Sequence, residues 1–188
     1  MPATAEETYA MLGNRSLWDT AAACHRILDE AGIPHAIVGG VAVCLHGYQR
    51  NTVDIDMLVR REDAGAIRAA LEGAGLAWDE GVCEFRSTEG IPVQFLAAGD
   101  KAGQGTEVVL PDPAAEGVRV TIEGLPVIRL SGLIEAKIAC GEGNARRTHR
   151  DFADVVELIA RHGLDGSFAS RLHESVRPTF RRLVRHVR

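Results

Sequence analysis

Two aspartates interrupt the most strongly β-branched segment of this 188-residue chain, which reads TVDIDMLV. A strand repeats every two residues, so Asp54 and Asp56 are expected on one face, and Val53, Ile55 and Met57 on a core-facing side. Adjacent carboxylates repel each other by an energy on the order of 1 kcal/mol or more, which a bound cation relieves. Paired oxygen ligands suit Mg²⁺ or Mn²⁺. The alternative is an edge strand with a solvated acidic face.

A pair of glycines, Gly39-Gly40, lies between the apolar segment HAIV and an apolar segment expected to be helical, Val41 to His46. Glycine lets the backbone approach an anion closely, and the start of a helix offers unpaired N–H groups. The turn therefore suits a phosphate group. Taken alone, it is equally an ordinary turn between a strand and a helix.

The remaining pattern predicts an α/β N-terminal part followed by a helical C-terminal part. Helices are expected at residues 16–31, 62–74, 131–140, 148–162 and 178–188, and strands at 82–87, 91–96, 106–110 and 118–122 in antiparallel hairpins. The chain is expected to turn helical after Pro126. With 46% hydrophobic and 25% charged residues, the composition is that of an ordinary globular protein.

Several classes of protein are disfavoured by the sequence. The N-terminal segment is acidic where a signal peptide is basic, and no apolar run is long enough for a bilayer. We therefore expect a cytoplasmic protein that does not bind a membrane. The four cysteines and seven histidines form no metal or disulfide motif.

The segment Val38-Gly39-Gly40, thirteen further residues and then Asp54-Ile55-Asp56 resembles the signature of the polymerase-beta-type nucleotidyltransferase superfamily. Arg50 and Thr52 fit its small bacterial members, the minimal and abortive-infection toxin-type branch. The resemblance covers about residues 20 to 162. It implies an α/β (α+β) fold with a mixed sheet flanked by helices. We expect a single compact unit, with a core at 16–125 and C-terminal helices at 126–188.

The resemblance also implies a chemistry. Asp54 and Asp56 would hold Mg²⁺ or Mn²⁺ and act in catalysis, and Gly39 and Gly40 would cradle the phosphates of a nucleoside triphosphate. Arg50 and Thr52 would belong to the same nucleotide site. The reaction would transfer a nucleoside monophosphate to a hydroxyl group and release pyrophosphate.

Lys137 falls on the apolar arc of its expected helix, beside Leu133 and Ile138. A charged amine there is costly unless it pairs with an acid, reaches a phosphate or extends to water at the rim. Together, LIEAK and the later RDFAD resemble the lysine-to-aspartate motif of the toxin-type branch. That resemblance implies that Lys137 contacts phosphates and that Asp151 lies near the active site. Asp154 is expected to be solvated or paired with an arginine.

The third carboxylate of the superfamily is replaced here, because the matching segment IPVQFL carries Gln94. An amide cannot accept a proton from a hydroxyl at neutral pH, and it is a weaker Mg²⁺ ligand than a carboxylate. Glu84 on the preceding strand could substitute if it faces the cleft, and Asp100 is less suited. A further alternative is that the protein binds the nucleotide without turning it over.

The last helix carries a row of arginines, Arg177, Arg181, Arg185 and Arg188, which could track a nucleic-acid backbone. No aromatic residues interleave with them, which favours a solvated helix face instead. The predicted activity is an Mg²⁺-dependent nucleotidyl transfer to RNA, protein or a small molecule, and the toxin-type resemblance adds an antitoxin partner. The competing predictions are a catalytically silent nucleotide-binding or protein-interaction module, and a purely structural domain.

Overall fold

The computed structural model describes residues 4–11 and 13–187, and its centre is a mixed sheet. The strands are β1 (His35–Val38), β2 (Ile55–Val59), β3 (Ala77–Asp79), β4 (Glu84–Arg86), β5 (Pro92–Ala97), β6 (Arg119–Ile122) and β7 (Leu125–Ile128). They lie in the order β3-β4-β5-β2-β1-β7-β6. β2 pairs parallel with β5 and antiparallel with β1, while β1 pairs parallel with β7. The strand that carries Asp56 is therefore central.

Seven α-helices surround the sheet in the described part of the chain. They are α1 (Ala5–Met11), α2 (Arg15–Glu30), α3 (Gly39–Leu45), α4 (Ala64–Gly73), α5 (Leu130–Gly143), α6 (Thr148–His162) and α7 (Arg177–Val187). Short 3-10 turns occupy Arg61–Asp63, Gly166–Arg171 and Glu174–Val176. None of the helices in residues 4–11 and 13–187 has the length and apolar character needed to cross a bilayer. The α/β class and the mixed sheet predicted from the sequence are confirmed.

The two faces of β2 carry different chemistry. Side chains alternate along a strand, so Val59 shares its face with Ile55 and Met57, and a cavity on that side is also lined by Ile67 of α4. Ile55 and Met57 are completely buried. Asp56 faces the other side, where α5 lies. Burial of the first face thus fixes the direction of Asp56.

The strand expected from residue 52 begins at Ile55, so Asp54 lies just before it. The expectation that Val53 belongs to the core was wrong, since it is 68% exposed. The reason is that β1 ends at Val38, which pairs with Asp56, and then turns away at Gly39. On the side of β1, no strand in the described residues continues beside Val53 and Asp54, and side-chain contacts such as that between Thr52 and Asp54 hold the segment instead.

The expectation that the chain turns helical directly after Pro126 was also wrong. Residues Leu125–Ile128 form β7, which is fully buried between β6 and β1. Four residues are too few to show a period, so tertiary pairing decides their conformation. The expected strand at 106–110 is reduced to an isolated bridge between Lys101 and Val109. β3 was not predicted.

The C-terminal helices agree more closely with their predicted positions, and α6 has the predicted bounds. In α7, Phe180, Leu183 and Val184 are buried, whereas Arg181 and Arg185 are exposed. This is the arrangement of a terminal helix packed on the domain with a solvated basic face. Arg188 lies outside the described residues.

Candidate functional site

The two aspartates lie where β2 begins, and their environments differ. Asp54 Oδ1 accepts a hydrogen bond of 2.8 Å from Thr52 Oγ1. Burial raises the pKa of Asp56 above its ordinary range, and the charge of Asp54 raises that pKa further. The nearby cations Lys137, Arg147 and Arg150 lower it. A partly desolvated carboxylate beside a second one is stabilised by a bound cation.

Gly39 and Gly40 make room for this acidic pair. Gly39 has φ +63°, and a Cβ at that position would collide with the carboxylate of Asp56. A Cβ at Gly40 would lie 2.6 Å from Thr52 Oγ1. The sequence suggested that the glycines let the backbone approach a phosphate. In the structure, the anionic group that approaches Gly39 is Asp56 itself.

Lys137 is a buried member of the site. It is 5% exposed, and its Nζ lies 2.9 Å from Asp151 Oδ1 and 2.7 Å from Asp154 Oδ2. The alternative of a lysine extending to water at the rim was therefore wrong. An ammonium group has three donors, so one donor remains for a further acceptor beyond the two carboxylates.

Asp154 contacts two residues that line the site, Arg50 and Lys137, a role that the sequence did not identify. It is 1% exposed and accepts two hydrogen bonds from Arg50, from Nε at 2.6 Å and from Nη2 at 2.9 Å. The expectation of a solvated side chain was wrong, and the alternative of pairing with an arginine is confirmed. A usable signal was present, because Asp154 lies four residues before the buried Leu158.

Asp151 lies behind Lys137 rather than at the cleft. It is fully buried, and its other oxygen lies 3.2 Å from Arg147 Nε. It lines neither cavity at the site. The structure places Asp151 as a partner of two cations, Lys137 and Arg147, and its proximity to an active site stays a prediction. Arg147 and Arg150 were not predicted as site residues, although both line the site.

Glu84, the predicted substitute for the third carboxylate, does not line the cleft. It is 6% exposed, accepts a 3.1 Å hydrogen bond from Gln94 Nε2 and lies 2.5 Å from Arg86 Nη2. Gln94 stands between it and Asp56, since Asp56 pairs with Gln94 across the β2–β5 ladder. Asp100 pairs with Arg61 instead.

Two cavities share Asp56 as a lining residue. The smaller, of about 50 Å³, is entirely polar, and Arg150, which lines it, makes no ion pair with any residue in the described ranges. The larger, of about 290 Å³, has mostly aliphatic walls. Both are lined by Asp56, Gln94, Lys137 and Arg147. The small cavity also has Gly40, Arg50, Thr52 and Asp54, and the large one Val38, Leu96, Leu110, Ile128 and Leu133.

The outer wall of the larger cavity packs backbone against backbone on α5. A Cβ at Gly103 would collide with the carbonyl of Ala139, and one at Gly143 would lie 2.5 Å from the carbonyl oxygen of Gln104. Cys140 Sγ also donates a 2.6 Å hydrogen bond to the carbonyl of Ala102. These contacts fix segment 102–104 to the helix that carries Lys137.

A metal ion at this site would need ligands from a substrate. Within residues 4–11 and 13–187, no group of three or more histidine, cysteine, aspartate or glutamate side chains is arranged to hold one. Asp54 and Asp56 supply two carboxylates, which suits Mg²⁺ completed by water and phosphate oxygens. The donor set thus fits a metal that binds together with a phosphorylated ligand.

Comparison with known proteins identifies the fold. No protein-family model matches the sequence, and no curated protein is significantly similar to it. The structure is similar to ANT(2")-Ia in complex with adenylyl-2"-tobramycin, with a TM-score of 0.52 and 17% identity over 87% of this chain and 93% of that one. It is also similar to JHP933 from Helicobacter pylori, with a TM-score of 0.52 and 18% identity over 83% and 71% of the two chains.

A further structure from Helicobacter pylori, provisionally described as a nucleotidyltransferase, has a TM-score of 0.51 and 18% identity over 83% of this chain and 73% of that one. Identities this low establish the fold alone. The nucleotidyltransferase fold implied by the sequence resemblance is therefore confirmed.

Proposed function

We propose that this chain is an Mg²⁺-dependent nucleotidyltransferase that moves a nucleoside monophosphate from a nucleoside triphosphate to a hydroxyl group. The observation that carries the proposal is the position of Asp56. Its partly buried carboxylate lies beside Asp54, among cations, where a polar cavity meets an aliphatic one. The fold shared with ANT(2")-Ia, whose bound compound is adenylylated, also supports nucleotidyl transfer as the reaction.

Asp54 and Asp56 would hold the metal, which when bound neutralises charge on the phosphate oxygens. Thr52 orients Asp54 through their hydrogen bond. Arg147 and Arg150, at the start of α6, are placed to bind the phosphates, and Lys137 offers its third N–H. Electrostatic stabilisation of this kind contributes most of the catalysis in phosphoryl transfer.

The larger cavity suits the nucleoside. Its walls at Val38, Ile128 and Leu133 are aliphatic, and the side chains of Gln104 and Asn144 add polar groups. A volume of about 290 Å³ is near the lower end of small-molecule sites. The base would then pack on aliphatic side chains while the phosphates extend towards the cations.

The acceptor is proposed as a hydroxyl of RNA, protein or a small molecule. For ANT(2")-Ia, the bound compound is an adenylylated small molecule. An antitoxin partner and a cytoplasmic location remain predictions from the sequence.

A catalytically silent nucleotide-binding module is the second candidate function. The observation that favours it is Gln94, which lies next to Asp56 and cannot take up a proton from the attacking hydroxyl. The two candidates share the same binding site and differ only in turnover.

The test is to incubate the protein with each labelled nucleoside triphosphate, Mg²⁺ or Mn²⁺, and total cellular RNA, protein and small-molecule fractions. We expect label transfer that disappears in Asp56→Asn and persists in Asp29→Asn, a matched change at an exposed aspartate. Metal-dependent nucleotide binding without transfer would support the silent module. Absence of metal-dependent nucleotide binding would refute both.

A further inference from the structure

Three side chains stand in a row across neighbouring strands at the edge of the site. Asp56 on β2 pairs with Gln94 on β5, and the pairing of Phe85 with Val93 sets Glu84 of β4 opposite Gln94. Adjacent strands are separated by roughly 4.8 Å, so the three side chains lie at successive steps of that spacing.

The hydrogen bond between Glu84 and Gln94 fixes which way the amide of Gln94 points. Both oxygens of Glu84 are engaged, Oε1 with Arg86 at 2.5 Å and Oε2 with Gln94 at 3.1 Å. A carboxylate ion-paired with an arginine only accepts hydrogen bonds, so Gln94 must turn its NH₂ group towards Glu84. Its amide oxygen is then left for the cleft, where Gln94 lines both cavities.

We propose that the Glu84–Gln94 pair replaces a third acidic ligand with a fixed, uncharged oxygen, so that this site binds one divalent ion with its nucleotide rather than two. The inference rests on the proposed nucleotide and metal site. Two divalent cations about 4 Å apart repel strongly and are held together by surrounding negative charge. Apart from the phosphates of the nucleotide, Asp54 and Asp56 provide that charge, and Gln94 adds none.

Glu84 is on this view a positioning residue and not a base. Its carboxylate lies one strand beyond Gln94 and lines neither cavity. It acts by holding the amide of Gln94 in one orientation, while its ion pair with Arg86 holds Glu84 in place.

The wild-type protein tests the proposal directly. Mn²⁺ is titrated into the protein with a non-hydrolysable nucleoside triphosphate analogue, and free Mn²⁺ is measured by electron paramagnetic resonance. We expect one tightly bound Mn²⁺ per complex. Two tightly bound ions would overturn the proposal while leaving the proposed function intact. No bound nucleotide and no bound Mn²⁺ would refute the proposed function, and this inference with it.

A double variant that exchanges the two side chains, Glu84→Gln with Gln94→Glu, is a more sensitive test of how many metal ions bind. It keeps the net charge and allows an amide–carboxylate hydrogen bond between the same positions, but it moves the negative charge one strand closer to Asp56. We expect either a second bound Mn²⁺ or affinity for the first that is at least about tenfold higher. Unchanged stoichiometry together with unchanged affinity would contradict the proposal.

The single variant Glu84→Gln distinguishes a role of Glu84 in orienting Gln94 from a role in the stability of the fold. Its side chain offers an amide to Gln94, so the amide of Gln94 is free to rotate, and we expect Mn²⁺ affinity to fall several-fold while the nucleotide still binds. Glu84→Asp, which keeps the acceptor, is expected to restore part of the affinity. If both variants melt like the wild type and bind Mn²⁺ equally well, Glu84 has no positioning role.

Discussion

Replacing Asp154 with alanine removes a carboxylate that joins three parts of the fold. Its oxygens contact Arg50 on the loop before β2 at 2.6 and 2.9 Å and Lys137 on α5 at 2.7 Å. Arg50 also donates from Nη1 to the carbonyl of Asn51 at 3.0 Å, within the loop that leads to Asp54. The substitution therefore affects both the stability of the fold and the order of the loop that leads to Asp54.

The expected loss in the free energy of unfolding is about 3–5 kcal/mol, the range for removing one partner of a buried ion pair. The lower half of that range is favoured, because the Arg50 side chain retains 16% exposure and Lys137 keeps Asp151 as a partner. Folded domains have total stabilities of about 5–15 kcal/mol. A loss of this size is a large fraction of that total, so we expect a lower urea midpoint and weaker Mn²⁺ binding in the presence of nucleotide.

Urea denaturation followed by circular dichroism measures the effect. The matched control is Asp19→Ala, which breaks an exposed contact with Arg15 at 3.8 Å and should cost less than about 1 kcal/mol. Adding Lys137→Met to Asp154→Ala should cost less than the two single changes combined, because both single changes remove the same contact between Lys137 and Asp154. The reasoning is refuted if Asp154→Ala costs no more than the control, or if the double variant is strictly additive.

Three further outcomes are expected. Gly39→Ala should abolish Mn²⁺-dependent nucleotide binding, because the added Cβ would collide with Asp56 and the residue has a positive φ. The control Gly73→Ala, which has open space around it, should bind the nucleotide normally. Equal nucleotide binding by both variants in an affinity titration would contradict this prediction. Thr52→Val removes the hydrogen bond to Asp54, so it should weaken Mn²⁺ affinity several-fold and lower the free energy of unfolding by about 1 kcal/mol. Thr52→Ser keeps the hydroxyl donor and should recover both the affinity and the stability. Burial lowers the pKa of His46, so the folded state favours the neutral imidazole. The stability that this provides is complete at pH values above the ordinary pKa of histidine. As the pH decreases below that value, the stability decreases by up to about 1.4 kcal/mol per pH unit. Denaturation midpoints of His46→Gln should show a shallower loss between pH 6.5 and 5, and identical pH profiles would exclude His46 as the cause.

The acidic pair and the strand that carries it were predictable because their signal is local. Alternation along TVDIDMLV separates Asp56 from Ile55 and Met57, and burial of those two hydrophobic residues fixes the direction of Asp56. The start of the strand was not predictable. It depends on where β1 turns away at Gly39, which is a contact between residues distant in sequence.

The partners of Lys137 also depend on contacts between residues distant in sequence, which the sequence alone does not predict. An apolar arc around a lysine predicts a buried or paired amine, but not which acid it meets. The family resemblance indicated that Asp151 lies near the site but did not identify it as a partner of Lys137, and Asp154 was expected to be solvated or paired with an arginine. The role of Glu84 could not be derived from sequence either, since it depends on Gln94 lying between two strands.

The contact between segment 102–104 and α5 determines how the larger cavity could be redesigned. At Gly103 and Gly143 there is no side chain to shorten, so Gln104 is the residue of this segment whose side chain could be shortened to enlarge the cavity. The cavity could also be enlarged by shortening aliphatic lining residues such as Leu133 on α5 and Ile128 on β7. Added bulk at either glycine would push the wall away from the helix and disturb Lys137 with it.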